Sequence, residues 1–222
     1  MKFDLHLHTH HSFDSLNSYE SIIKTVQQCG LDGIAVTDHN TMKGAFELAK
    51  IAPFPVILGE EIRTREGEVI GYFMEEEIPR GLGLEETIAR IREQGGIVAV
   101  PHPLDRVRHR PALGETVLRR VIDQIDLIEG CNGRALFRED NTRATDLAQE
   151  YNKPITAGSD AHSPWEIGRC YVELDPFDGP ETFLANMRHA NLKRCDGKIW
   201  QPFLSTFAKV AKQVGLDKWI RY

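Results

Sequence analysis

Short apolar runs alternate with amphipathic segments along the chain, the pattern of an α/β domain assembled from repeated strand-helix units. Strands are predicted over Lys2 to His8, Gly33 to Thr37, Pro55 to Ile62, Glu68 to Met74, Gly96 to Val100, Leu127 to Gly130, Pro154 to Ala157 and Cys170 to Leu174. Helices fall between most of them. Ile22, Ile23, Val26 and Cys29 form one apolar face after Ser18; Leu84, Ile88 and Ile91 form another; Ala144, Leu147, Ala148 and Tyr151 form a third. All three read as core packing. A last amphipathic helix is predicted after Pro202, with Phe203, Phe207, Val210, Ala211 and Val214 at helical spacing, either docking on the domain or meeting a second copy. No linker, repeat or low-complexity stretch breaks the pattern, so the 222 residues read as a single domain whose last part, about 200–222, is a helical extension.

Bulk properties narrow the function more than the fold. A formal net charge of −6 disfavours a binder of long nucleic acid, which needs a basic surface to neutralise phosphates. A small anion held by a local basic pocket stays open. No apolar run is long enough to cross a bilayer, and the N-terminus reads as a strand rather than a signal peptide, so the chain is expected to be cytoplasmic. Cys29, Cys131, Cys170 and Cys195 form no C-x-x-C pair and are expected mostly as buried, reduced thiols.

Histidine is distributed unevenly: of nine in the chain, four lie in the first eleven residues, in Asp4-Leu5-His6-Leu7-His8-Thr9-His10-His11. On a strand, His6 and His8 point to one face, and two imidazoles aimed at one point are half of a metal site. Other metal-type residues fall at or just beyond the C-terminal ends of predicted strands: Asp38-His39, Glu60-Glu61, His102, Asn132, and Asp160 with His162. Parallel α/β barrels assemble their active sites at that end.

Four segments in order, His6-Leu7-His8-Thr9 with Ser12 and Asp14 following, Thr37-Asp38-His39-Asn40, Val100-Pro101-His102-Pro103 and Gly158-Ser159-Asp160-Ala161-His162, resemble the motifs of the PHP (polymerase and histidinol phosphatase) superfamily of metal-dependent phosphoesterases. Gly59-Glu60-Glu61-Ile62, followed by Gly67 to Phe73, resembles the region carrying that family's metal-bridging glutamate. The resemblance spans nearly the whole chain. It implies a distorted (β/α)7 barrel with two or three divalent metals at its mouth, manganese, iron or zinc by the chemistry of the ligands. His6, His8, Glu61 and Asp160 would hold the first, Glu61 and His102 the second, and Asp14, His39 and His162 the third. Asn132 takes the place of a histidine that many members supply to the second metal, and its neutral amide oxygen is a weaker ligand. Glu60, next to the bridging residue, would face the other way.

The implied reaction is hydrolysis of a phosphate ester by a hydroxide bridging the metals, with Glu61, Asp160 and His162 at the chemistry. His162 or a metal-bound water would protonate the leaving oxygen. Guanidinium forks suit phosphate oxygens, which makes Arg106, Arg108 and Arg110 one substrate-binding set and Arg134, with Arg138 and Arg143, another; Arg134 is preferred for its nearness to Asn132. Trp165 either covers a substrate ring or makes a plain hydrophobic contact, and Gly158 and Gly168 read as turn glycines. The favoured substrate is a small-molecule or nucleoside phosphate, with a possible homo-oligomer and no stable long nucleic-acid partner. Trimming of short oligonucleotides, amidohydrolase-type C–N hydrolysis and a non-enzymatic domain are the competing readings.

Overall fold

The computed structural model describes residues 1–108 and 111–194. The predicted C-terminal helix, Arg110 and Cys195 lie outside the described residues. Among those described, no helix is long and apolar enough to cross a membrane.

The strands are β1 (Lys2–Asp4), β2 (Gly33–Val36), β3 (Val56–Arg63), β4 (Glu68–Tyr72), β5 (Ile97–Val100), β6 (Leu127–Asn132), β7 (Ile155–Gly158), β8 (Cys170–Glu173) and β9 (Asn191–Arg194), hydrogen-bonded in the order β7-β6-β5-β4-β3-β2-β1-β8-β9. Neighbours from β1 to β3 and from β5 to β7 are parallel. β4 is antiparallel to both β3 and β5. The two ends of this array then meet: Leu5 N–H donates to Ala157 O (3.3 Å), Asp160 N–H to His6 O (2.7 Å) and His8 N–H to Ala161 O (3.0 Å). The sheet therefore curls into the distorted seven-stranded barrel that the resemblance implies, and β8 and β9 extend it beyond β1.

The helices α1 (Tyr19–Gln28), α2 (Lys43–Ile51), α3 (Leu84–Glu93), α4 (Glu115–Val121), α5 (Arg138–Glu150) and α6 (Pro180–Met187) fill most connections. Ser18 caps α1 by accepting a hydrogen bond from Ser21 N–H at 3.2 Å, and Ile22 and Val26 are buried beneath that helix. Ile88 and Ile91 of α3 pack with Val98 and Val100 of β5. A separate cluster gathers Ile57, Ile70, Tyr72, Ile97, Ala99 and Leu127 from the strands with Phe3 and with Phe183 of α6. By the two-residue pleat, Ile57 shares a face with Glu61, Ile70 with Glu68, and Leu127 with Glu129. Each of these three strands thus carries an apolar residue where the barrel is plugged and a carboxylate on the same face.

Three expectations change. Regular β1 pairing stops at Asp4 instead of running to His8, because residues 5–8 divide their hydrogen bonds between Thr37 on one side and Ala157 and Ala161 on the other. The β3–β4 turn contains no helix, so the strand-helix repeat is broken there and β4 runs backwards. β9 carried no apolar alternation and was absent from the expected strands; three of its four residues are exposed or edge-like around Leu192.

Candidate metal centre

His6 and His8 emerge from the barrel seam with Nε2 atoms 3.1 Å apart. Glu61 Oε2 lies 3.4 Å from each, and Asp160 Oδ1 lies 3.7 Å from His6 and 3.4 Å from His8. The other Glu61 oxygen, Oε1, is 3.0 Å from His102 Nε2, which Glu68 Oε2 approaches at 3.9 Å. On the far side His39 Nδ1 is 3.0 Å from Glu61 Oε2, while His39 Nε2 and His162 Nε2 lie 3.7 and 3.2 Å from Asp14 Oδ1. Among the described residues, four overlapping groups of donors gather here, two of them containing Glu61, and nearly all of their side chains are buried.

The ring orientations fit a cation. His6 Nδ1 faces Glu129 Oε1 at 3.0 Å, and His8 Nδ1 faces Ser12 Oγ at 3.1 Å. Ser12 Oγ donates to Asp38 Oδ1 (2.6 Å), so it accepts from His8, and the Glu129 carboxylate also accepts. With both rings neutral, as a metal ligand requires, the two Nε2 atoms turn lone pairs toward one point beside two carboxylates, and Glu61 Oε2 is buried there without a hydrogen bond. Soft-to-borderline imidazoles mixed with carboxylates suit a transition-metal or zinc-type dication.

Protonation follows the same geometry. Burial opposes charge on His6, yet Asp160, Glu129 and Glu61 outweigh it and hold its pKa well above the usual value. Burial, together with His162 and His39, keeps His8 well below its usual value and hence neutral. Burial also works against Glu61 and Asp160 as anions, but His39 and His6 hold the first, and His6 and Arg108 the second, well below the ordinary carboxylate range. Glu68 shifts upward, through burial and the nearby Glu61 charge.

Asn132 enters this centre with both ends of its amide engaged. Its Nδ2 donates to Glu129 Oε2 (2.9 Å) and Asp160 Oδ2 (3.2 Å), while its Oδ1 accepts from Arg108 (3.1 Å) and from the Arg134 amide (2.9 Å). To ligate a metal the oxygen would have to leave two donors.

A cavity of about 680 Å³ opens over the donors, lined by Asp14, His39, Glu68, His102, Asp160 and His162. Two of the expected arginines reach it. Arg108 pairs with Asp160 and is braced by Asp105 (2.9 Å), and Arg134 contacts His162 Nδ1 at 2.8 Å. Arg106 turns away: it pairs with Asp140 (2.7 Å) and lies over the Phe137 ring at 4.6 Å. Arg63 and Arg80 also line it, and Phe13, Val107 and Leu136 supply exposed apolar surface. Trp165 is exposed and outside the lining. His10 and His11 pack against Tyr19, away from the donors.

Sequence reasoning missed Glu68 and Glu129. The C-terminal end of a strand marks the mouth only for the parallel strands, whereas antiparallel β4 brings its first residue, not its last, to the mouth. Glu129 sits inside β6 just before a register shift, where no end position would flag it. The doublet Glu61 and Glu68 across a hairpin was the signal available. Gly158 is also not a plain turn residue: a Cβ there would come within 2.7 Å of His6 N, so glycine permits the close approach of β7 to the His6 backbone.

Comparison with known proteins follows the same geometry. A family model described as the PHP domain matches residues 4–158, and one described as PHP-associated matches residues 138–192. An uncharacterized protein of Methanocaldococcus jannaschii is 38% identical over 176 residues, covering 78% of this chain and 70% of that protein. A two-domain protein of Bacteroides vulgatus containing a predicted PHP-like metal-dependent phosphoesterase superposes with a TM-score of 0.62 at 20% identity, over 78% of this chain and 57% of the other. An amidohydrolase of Chromobacterium violaceum, with sulfate bound and no metal, superposes with a TM-score of 0.63 at 17% identity, over 86% and 97%. At such identities the likeness is one of fold.

Proposed function

This chain belongs to the PHP domain family, and from that premise we propose that it is a metal-dependent phosphoesterase that releases phosphate from a small molecule, a nucleoside phosphate being the favoured class. Family membership and the buried donor groups support the broader statement, a metal-dependent hydrolase. The observation that carries the finer reading is Glu61, whose two oxygens face different donors, Oε2 toward His6, His8 and His39 and Oε1 toward His102. A carboxylate so placed suits two cations about 3.5–4 Å apart.

His6, His8, Glu61 and Asp160 would hold one ion; Glu61 and His102, with Glu68, a second; and Asp14, His39 and His162 a third. Bound there, manganese, iron or zinc would supply a water of lowered pKa and draw charge from the phosphoryl oxygens. Glu68 would take up the part that the resemblance assigns to Asn132, whose amide instead ties Asp160 to Glu129 and Arg108. Arg108 and Arg134 bind non-bridging oxygens of the substrate, and Phe13, Val107 and Leu136 accept its less polar part. His162 Nδ1 lies 2.8 Å from both the Asp160 carbonyl and Arg134, and its Nε2 faces the centre 3.2 Å from Asp14 Oδ1. The substrate is a soluble small molecule, in keeping with the net charge of −6.

Amidohydrolase-type C–N hydrolysis is the second reading, favoured by the shared fold of the Chromobacterium violaceum protein. Against it, no lysine among the described residues lines the cavity, and Glu61 stands between the two sets of donors. Purified full-length chain supplied with manganese should release phosphate from nucleoside monophosphates or p-nitrophenyl phosphate and leave amide substrates intact. Amide cleavage without phosphate release would overturn the phosphoesterase reading.

A further inference from the structure

We propose that Glu129 is a positioning residue of the centre, fixing which nitrogen of His6 faces the metal and anchoring the backbone of His102. The inference rests on the reading of those two histidines as ligands. Glu129 is 3% exposed and its oxygens are already filled by protein donors. Oε1 is 3.0 Å from His6 Nδ1; Oε2 accepts from His102 N–H at 2.7 Å and from Asn132 Nδ2 at 2.9 Å. It joins three parts of the barrel mouth: the chain beyond β1, the turn after β5, and β6 itself.

A carboxylate offers only acceptors, so every group facing it must donate. A neutral, metal-binding His6 therefore carries its proton on Nδ1 and presents Nε2, the atom 3.1 Å from His8 Nε2 and 3.4 Å from Glu61. Carboxylates behind metal-binding imidazoles typically set tautomer and orientation in this way. The second oxygen acts on the backbone. His102 has φ +28, a conformation that side chains other than glycine seldom adopt, and its N–H points at Glu129. That anchor holds the ring with Nε2 3.0 Å from Glu61 Oε1.

Glutamine at this position has nearly the same shape but one acceptor instead of two. The His102 N–H belongs to the backbone and cannot be reversed, so the amide oxygen must stay on that side. The amide NH2 then falls on His6 Nδ1, which has to accept. The imidazole proton moves to Nε2, the atom the metal needs. Glu129→Asp, with two acceptors on a shorter arm, preserves the charge pattern and should retain more of the function.

The experiment uses the full chain labelled with 15N-histidine and loaded with zinc, a diamagnetic probe. In wild type, long-range 1H–15N spectra should show His6 bound through Nε2 with a proton on Nδ1. Calorimetric zinc titration of Glu129→Gln should show affinity at the tightest position lowered roughly 10–100-fold, with Glu129→Asp between the two and with unfolding midpoints in chelator close to wild type. Unchanged zinc affinity in Glu129→Gln overturns the proposal while leaving the metal centre standing. So does a wild-type His6 bound through Nδ1, an outcome that needs no variant to fold. Absence of zinc binding by wild type overturns the metal-centre reading together with it.

Discussion

Glu60 and Glu61 are neighbouring carboxylates with opposite fates, set by the two-residue pleat of β3. Glu61 joins the histidines and is held as an anion, whereas Glu60 is buried on the other face, accepts one hydrogen bond from Ile78 N–H, and has its pKa pushed up to about 8 by burial. Below pH 4.5 Glu60 is protonated in both folded and unfolded chains; between 4.5 and about 8 only the unfolded chain releases the proton, so stability falls as pH rises. Glu60→Gln should therefore be more stable than wild type at pH 8.5 by on the order of a few kcal/mol in thermal or urea unfolding, with little difference at pH 4.5; a difference that shrinks with rising pH would contradict the burial of this carboxyl. At the cavity, Arg134→Ala should lower kcat/KM for a phosphate monoester roughly 10–100-fold, mainly through KM, while Arg106→Ala, paired with Asp140, should change it little in steady-state assays. Much of this was legible from residue type and order. His6, His8, Glu61, His102 and Asp160 carry metal-type donors at strand ends, and the structure brings them together. The arginines were not separable in sequence, because which of Arg106 and Arg108 faces the centre depends on Asp140 and Asp105, partners that no spacing reveals.

At the scale of elements, the seam between β7 and the chain after β1 is what brings His6, His8 and Asp160 together. Gly158 permits it, since a Cβ would press on the His6 backbone. Gly158→Ala should cost about 1–3 kcal/mol in thermal or urea unfolding, and should weaken metal binding as His6 is displaced; an unchanged variant in both respects would show that the seam has room to spare. The alternation of apolar runs and helical faces was enough to place eight strands, because buried strands read as short continuous apolar runs. It was not enough to orient them. A hairpin and a crossover leave similar apolar patterns, so the reversed β4, and with it Glu68 at the mouth, had no mark in the periodicity. Glu129 was hidden for a related reason: the irregular register of β6 between Glu129 and Cys131 shifts what faces inward.

Over the whole molecule, the barrel is apolar where Phe3, Tyr72, Leu127 and Phe183 plug it, and crowded with donors at the mouth. Facing lone pairs and buried carboxylates are costly to assemble without a cation, so metal binding should also stabilise the fold. Manganese at about 100 times its Kd should add about 2.7 kcal/mol, roughly 5–10 °C in Tm relative to chelator. The donors around Glu61 should hold the metal that phosphate release needs. This is tested most directly by stripping wild type and Glu61→Gln with chelator, restoring manganese stepwise, and measuring released phosphate and bound metal in the same samples. Phosphate release that returns in step with bound metal in wild type, and falls by orders of magnitude in a folded Glu61→Gln, is the expected result. Release that persists in chelator, or is equal in both proteins, would contradict it.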